Sequence, residues 1–257
     1  MRLAERKYFT TTKFDRFERI IEATKKRLAE VGADRLTIRD LAVASQVSAA
    51  TLYNRFGSKD NIISVVVIDH FEQVVRLALS KENGAREPPV ARILHVLKLL
   101  ERNTCDNRGL VQALMSIHFK IDSNEELRDQ LFLQCYELLL GMVEDLYAGK
   151  ALSNSIPVAL LVEEATDKIF SVVLKWAQQK FPNEQLLDRL ILGVLSVLVA
   201  GSQGRGLVEL ENELNAAASR ISAAPLQKKN SKPAAGKKTA AAVPRAAHRS
   251  GGVRAPK

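Results

Sequence analysis

The sequence predicts an all-α fold followed by a disordered basic tail, and three observations carry that expectation. The first is composition: 46% of the 257 residues are apolar but only 5% are aromatic, and helix formers dominate while Gly and Pro stay sparse through the middle of the chain. The second is periodicity, because apolar side chains recur at steps of three and four in stretch after stretch, each ended by Gly, Pro or Asn. The third is the end of the chain. From Ala223 onward it is Ala, Lys, Arg, Pro, Gly and Ser with no periodic apolar positions, so it cannot repay the entropy of folding.

The elements follow in order. Phe17, Ile20, Ile21, Thr24, Leu28 and Val31 trace one face of a helix over 14–31, and Gly32 supplies its stop. Thr37 stands as the N-cap of a short helix reaching Ala44, with Asp40 as its capping-box partner and Ile38, Leu41 and Ala42 inward. Ser48 caps a third short helix whose buried side is Leu52 and Phe56 and whose stop is Gly57. A longer helix runs from Ser58 to about Ser80, ended by Asn83-Gly84 and Pro88-Pro89. Six further helices are expected over 89–103, 109–119, 124–148, 157–180, 184–200 and 205–221, with breaks at Asp106–Arg108, Gly149, Ser153–Pro157, Pro182 and Gly201–Gly204. The chain thus divides into an arm (1–13), a three-helix head (14–60), a helical body (61–222) and a tail (223–257).

Charge is unevenly distributed over these parts. Residues 1–60 carry 13 Lys and Arg against 8 Asp and Glu, residues 61–222 carry 16 against 21, and residues 223–257 carry 9 against none. A basic head, a mildly acidic body and a purely cationic tail point to two contacts with a polyanion, nucleic acid first. A membrane is the weaker partner for the tail, whose sizeable apolar residues are only Leu226, Val243 and Val253. The longest apolar stretch, Leu190 to Gly201, is 12 residues, short of the 18 or so that suggest a span. The charged opening MRLAERKYFTTTKF lacks the apolar run of a secretory signal, and Cys105 and Cys135 form no disulfide framework. A cytoplasmic, nucleoid-associated protein is expected.

Two short helices joined by a tight turn, Thr37–Ala44 and Ser48–Phe56, have the spacing of a helix-turn-helix, whose second helix can enter the major groove. With Leu52 and Phe56 inward, Ala49, Ala50, Thr51, Tyr53, Asn54 and Arg55 lie at or near the exposed side. Small residues let the backbone approach the groove, Thr51 and Asn54 can meet base edges or phosphates, and the Tyr53 phenol can donate to a phosphate oxygen. Lys59, in the first turn of the next helix, joins free backbone N–H groups in a phosphate clamp.

The run T-I-R-D-L-A, then V-S-A-A-T-L-Y-N-R-F-G-S-K-D-N-I, resembles the DNA-binding domain of the TetR/AcrR family of bacterial regulators. The resemblance covers roughly residues 14–62 and implies an all-α homodimer on double-stranded DNA, with a body that responds to a small molecule. Carried over by position, Thr37, Thr51, Tyr53 and Lys59 resemble phosphate contacts, Arg39 a base reader, and Ala49, Ala50 and Asn54 groups facing bases or the groove wall. Two positions depart from the pattern: Gln46 occupies the turn site usually held by Gly, and Ala50 replaces a frequent Gly.

No cofactor, metal site or catalytic motif is expected. His70, His95 and His118 fall on different helices without a second ligand at helical spacing, and no nucleotide-binding, hydrolase or zinc-protease signature occurs. In the body, helix 157–180 (Leu161, Val162, Ala165, Ile169, Val172, Val173, Trp176, with Phe170 and Leu174 elsewhere) and helix 184–200 (Leu187, Leu190, Ile191, Val194, Leu195, Leu198) offer more apolar surface than one face needs. With the resemblance, that favours a four-helix interface across a two-fold axis. The stretch 88–181, rich in residues such as Ile93, Leu97, Leu114, Met115, Phe119, Phe132, Tyr136, Leu139 and Phe170, is where the resemblance places a cavity for a hydrophobic effector. The expected function is that of a ligand-responsive repressor on a palindromic operator. The alternative is an architectural nucleoid-type protein that coats DNA through its tail, without small-molecule control.

Overall fold

The computed structural model describes residues 11–78, 87–119 and 125–223. Residues 1–10 of the arm, the break at Asn83-Gly84 and the tail from residue 224 lie outside them. Among the described residues there are ten α-helices: α1 (Thr11–Arg35), α2 (Ile38–Ser45), α3 (Ala49–Phe56), α4 (Lys59–Ala78), α5 (Pro89–Asp106), α6 (Arg108–His118), α7 (Glu125–Ala148), α8 (Val158–Ala177), α9 (Leu186–Ala200) and α10 (Gly204–Ala223). The only extended pairing among the described residues is an isolated bridge between Leu152 and Ser202, so the fold is all-α.

The local signals act where the sequence puts them. Gly32, at φ 74° and ψ 167°, kinks α1 before its last turn, a conformation that costs a residue with a Cβ but not glycine. Pro89 opens α5 and Pro157 caps α8, sites where the missing N–H costs nothing. The helix expected over 157–180 stops earlier, at Ala177, because Gln179 turns left-handed at φ 57°. There the Gln179 and Lys180 N–H groups donate back to the Trp176 and Lys175 carbonyls. A 3₁₀ turn, Asn183–Gln185, then leads into α9.

A continuous apolar cluster joins the head to the body. Its largest fully buried side chain is Trp176, whose indole N–H donates to Asn183 Oδ1 at 2.9 Å and whose ring carries the Arg108 guanidinium at 4.7 Å. In the body α9 packs against α8, α10 and α5. This consumes much of the surface that periodicity offered for a partner: Leu161, Val162, Ala165, Ile169, Val173 and Trp176 of α8, and Leu190, Ile191, Val194, Leu195 and Leu198 of α9, are buried within the single chain. Leu160 and Val208 stay about half exposed, and Val172, Leu174 and Val197 are partly buried.

Two close contacts reinforce this joint between head and body. The Lys25 ammonium of α1 reaches Asp69 of α4 at 3.2 Å with both side chains largely buried, a setting where charge-assisted bonds are strongest. Beside it, α6 lies so close to α1 that a Cβ on Gly109 would stand 2.5 Å from the Leu28 carbonyl oxygen. Glycine is required there by backbone approach.

Candidate nucleic-acid interface

The head is built from its caps. Thr37 Oγ1 accepts the Asp40 N–H at 3.1 Å and donates to the Asp40 carboxylate at 2.6 Å, while the Thr37 N–H donates to the same carboxylate at 3.1 Å. This closes the capping box expected from the sequence, and its hydrogen bonds hold the Asp40 carboxyl below its ordinary value. Leu41 and Ala42 bury the inner face of α2, and Ser45, also buried, returns its hydroxyl to the Leu41 carbonyl at 2.5 Å. The turn then forms without glycine. Gln46 adopts the left-handed conformation at φ 54° and ψ 44°, its N–H donating to the Ala42 and Val43 carbonyls, so the departure at Gln46 is absorbed as backbone strain and not by a shifted turn.

Ser48 caps α3, its Oγ accepting the Thr51 N–H at 3.1 Å and lying 2.9 Å from Thr51 Oγ1. Leu52 is fully buried and pins the inner side. Along the outer side Ala49, Ala50, Tyr53 and Asn54 are exposed, as are Thr37, Arg39 and Ser48, while Thr51 is partly buried. These seven exposed positions form one polar, small-residue surface around the turn. Arg55 is placed differently: its guanidinium lies over the Phe17 ring at 4.8 Å and near Phe56 at 5.8 Å, and burial lowers its pKa. It braces α3 against α1, where Phe17 and Phe56 stack at 6.3 Å. Lys59 is also engaged, donating to the Ala33 carbonyl at 3.1 Å just past the kink in α1.

Asn61 joins this corner without having been singled out in the sequence. Its amide donates to the Phe56 carbonyl at 2.8 Å, tying the end of α3 to the start of α4, where Ser58 Oγ accepts the Asn61 N–H at 3.1 Å. The exposed Val43, on the outer face of α2, is likewise visible only in three dimensions.

Residues 20–66 match the model of the bacterial regulatory proteins of the tetR family, a span that takes in α2, the turn and α3 entire. The head thus carries the tetR-family pattern. No curated protein sequence matches the chain. Among solved structures, a TetR-family regulator from Syntrophomonas wolfei superposes with a TM-score of 0.58 at 17% identity, covering 72% of this chain and 96% of its own. FadR of Thermus thermophilus, a TetR-family repressor solved with lauroyl-CoA, superposes at 0.55 and 20% identity, covering 71% and 93%. FadR of Bacillus subtilis, solved with stearoyl-CoA, superposes at 0.54 and 18% identity, covering 68% and 97%. Likeness at this level of identity establishes a shared fold.

The helical body holds a cleft with about 590 Å³ of empty space, counting its open mouth, between α4, α5, α6, α7 and α8. Leu114, Met115 and Phe170, named from the sequence, line it. Ile93, Leu97 and Leu139 are instead fully packed core, Phe119 is 45% exposed, and Phe132 stacks on Tyr136 at 6.3 Å. The cleft also extends beyond the stretch 88–181, because α4 supplies Val67, His70, Phe71 and Val74. Its polar groups, His70 from α4 and Asn103 and Thr104 from α5, carried no sequence signal, since they come from two helices and share no helical spacing. Among the described residues no cluster of His, Cys, Asp or Glu could hold a metal, and no helix is long and apolar enough to cross a membrane.

Proposed function

We propose that this TetR-family protein is a sequence-specific transcriptional repressor that binds a palindromic operator as a homodimer and is released by a small molecule. The observation that carries the proposal is the outer side of α3: Ala49, Ala50, Tyr53 and Asn54 exposed together, on a helix held by Leu52 within and Ser48 at its start. Two alanines let the backbone come close to a groove wall, and Asn54 and Arg39 supply base-directed groups. Thr37, Ser48, Thr51 and Tyr53 supply hydroxyls for phosphates, and Lys59 a charge beside the α4 N-terminus. Arg55 acts from its place over Phe17, orienting α3. A dimer supplies the second reading head that a palindrome needs, through the partly exposed apolar positions of α8, α9 and α10.

Effector control is supported by an apolar cleft that shares α4 with the head: the helix that carries Lys59 and Asn61 at one end carries Val67, His70, Phe71 and Val74 in the cleft wall. A ligand that binds better to a conformation with misplaced heads shifts the population off DNA. The two FadR proteins with the same fold hold acyl-CoA, which makes long acyl compounds a first class of effector to try.

The tail, with nine cationic and no acidic residues over 223–257, supports a second reading in which it tethers the protein to DNA without regard to sequence. One experiment separates the two: selection of fragmented genomic DNA at physiological salt by the full chain and by a chain ending at residue 222. Enrichment of one palindrome by both forms is expected, with the slope of log affinity against log salt flatter in the shorter form by about 0.9 for each phosphate the tail neutralises. Broad binding without a motif, largely lost with the tail, would replace the repressor with an architectural protein.

A further inference from the structure

The effector cleft has one polar place in it, and the hydrogen bonds there run in a determined order. Asn107 Nδ2 donates to the Asn103 backbone carbonyl at 3.0 Å, which fixes which end of that amide is nitrogen, and to Asn103 Oδ1 at 3.1 Å. Asn103 Oδ1 is therefore an acceptor already in use, and it is Asn103 Nδ2 that faces His70 Nε2 at 3.3 Å. A nitrogen that accepts carries no proton. The ring proton of neutral His70 then sits on Nδ1, a donor, and burial, which lowers the His70 pKa, keeps the ring neutral. Thr104, buried and next along α5 from Asn103, brings a hydroxyl to the same cleft.

The charges near this place lie outside the cleft and are paired with one another. No Lys, Arg, Asp or Glu lines the cleft, and Lys25, the cation that acts on His70, is already bound to Asp69 at 3.2 Å and to Glu22 at 3.1 Å. A carboxylate or phosphate seated at His70 would lose its hydration without gaining a counter-ion, which is costly. A wholly apolar ligand would bury the His70 and Thr104 donors without a partner, a smaller penalty of the same kind.

We propose that the cleft takes a neutral amphipathic ligand, an apolar body bearing one hydrogen-bond acceptor such as a ketone or ester oxygen, which seats on His70 and Thr104. This rests on the effector reading of the cleft and narrows it to a class. The seat adjoins the Lys25–Asp69 pair, one residue before His70, that ties α4 to α1. A head group there meets the wall that also holds the head.

Three eight-carbon probes test the class with the full chain: 2-octanone, octane and octanoate, titrated by calorimetry against the unaltered protein, His70→Phe and Thr104→Val. The ketone is expected to bind at least about tenfold more tightly than either of the others, the factor for one hydrogen bond. His70→Phe should erase the preference of ketone over octane while leaving octane binding in place, and the isosteric Thr104→Val should reduce that preference if His70→Phe fails to fold. Equal affinity for ketone and octane would overturn the proposal, because the cleft would then read shape alone. Tightest binding of octanoate would overturn it by revealing a cation. Binding of none of the three would overturn it together with the effector reading.

Discussion

Gly109→Ala tests the joint between head and body. A Cβ at this position lies 2.5 Å from the Leu28 carbonyl oxygen, 3.0 Å from its carbon and 3.1 Å from the Ala29 Cα, all backbone atoms that cannot swing aside. Ordinary contact needs about 3.5 Å, so α6 and α1 must part by about 1 Å. Overpacking of this kind costs about 1–3 kcal/mol, offset by at most about 1 kcal/mol of helix propensity. With that offset in full, the net loss is up to about 2 kcal/mol, which lowers Tm by up to about 8 °C for a chain of this length. Gly141→Ala makes the same chemical change within α7, where nothing lies within 4 Å of the added carbon, and gains about 0.5–1 kcal/mol. Thermal melts of the two variants should therefore move in opposite directions from the unaltered chain. DNA affinity should fall with Gly109→Ala, since α6 walls the cleft with Leu110, Val111, Leu114 and Met115 while pressing on the helix that braces α3. A Tm for Gly109→Ala at or above that of the unaltered protein would refute the close approach and the coupling drawn from it.

Gln46→Gly relieves a left-handed backbone at φ 54° and should raise stability by about 0.5–1 kcal/mol in a denaturant melt; a loss would mean that the Gln46 side chain contributes more than its backbone strain costs. Arg39→Ala should cost about 1–3 kcal/mol of operator affinity and relax one base position, whereas Lys59→Ala should weaken all sequences alike. Binding to a library of single-base operator variants distinguishes the two, and a uniform loss from Arg39→Ala would remove its base-reading role. Burial lowers the pKa of both His70 and His118, so the unfolded chain takes up these protons first as pH falls below about 6.5. Stability from keeping the rings neutral is full above that pH and is lost below it; Tm should drop between pH 7.5 and 5.5, and the drop should shrink in a His70→Asn, His118→Phe variant. An equal drop in both proteins would show that other groups carry the acid sensitivity.

How legible each part was depends on how far along the chain its physics reaches. The caps at Thr37 and Ser48, the break at Gly32, which kinks α1 where a stop was expected, the stop at Gly57, and the burial of Leu41 and Leu52 are interactions within three or four residues, so residue order alone specifies them. The end of α8 at Ala177 was missed because nothing local forbids Gln179 from continuing the helix; the turn there lets Phe181 bury and take the Arg189 guanidinium at 4.4 Å. Arg55 looked like an outward cation by its spacing and lies over Phe17 because α1 brings that ring within reach.

By itself, then, the amino-acid order determined an all-α chain with a helix-turn-helix head, since helical period, capping and turn chemistry are local. Only the tertiary structure decided that His70, Asn103 and Thr104 share one cleft, that Gly109 must be bare, and that the inner faces of α8 and α9 are filled within a single chain. Those facts depend on which helices meet, and a side chain's periodicity says that it will be buried without saying against what.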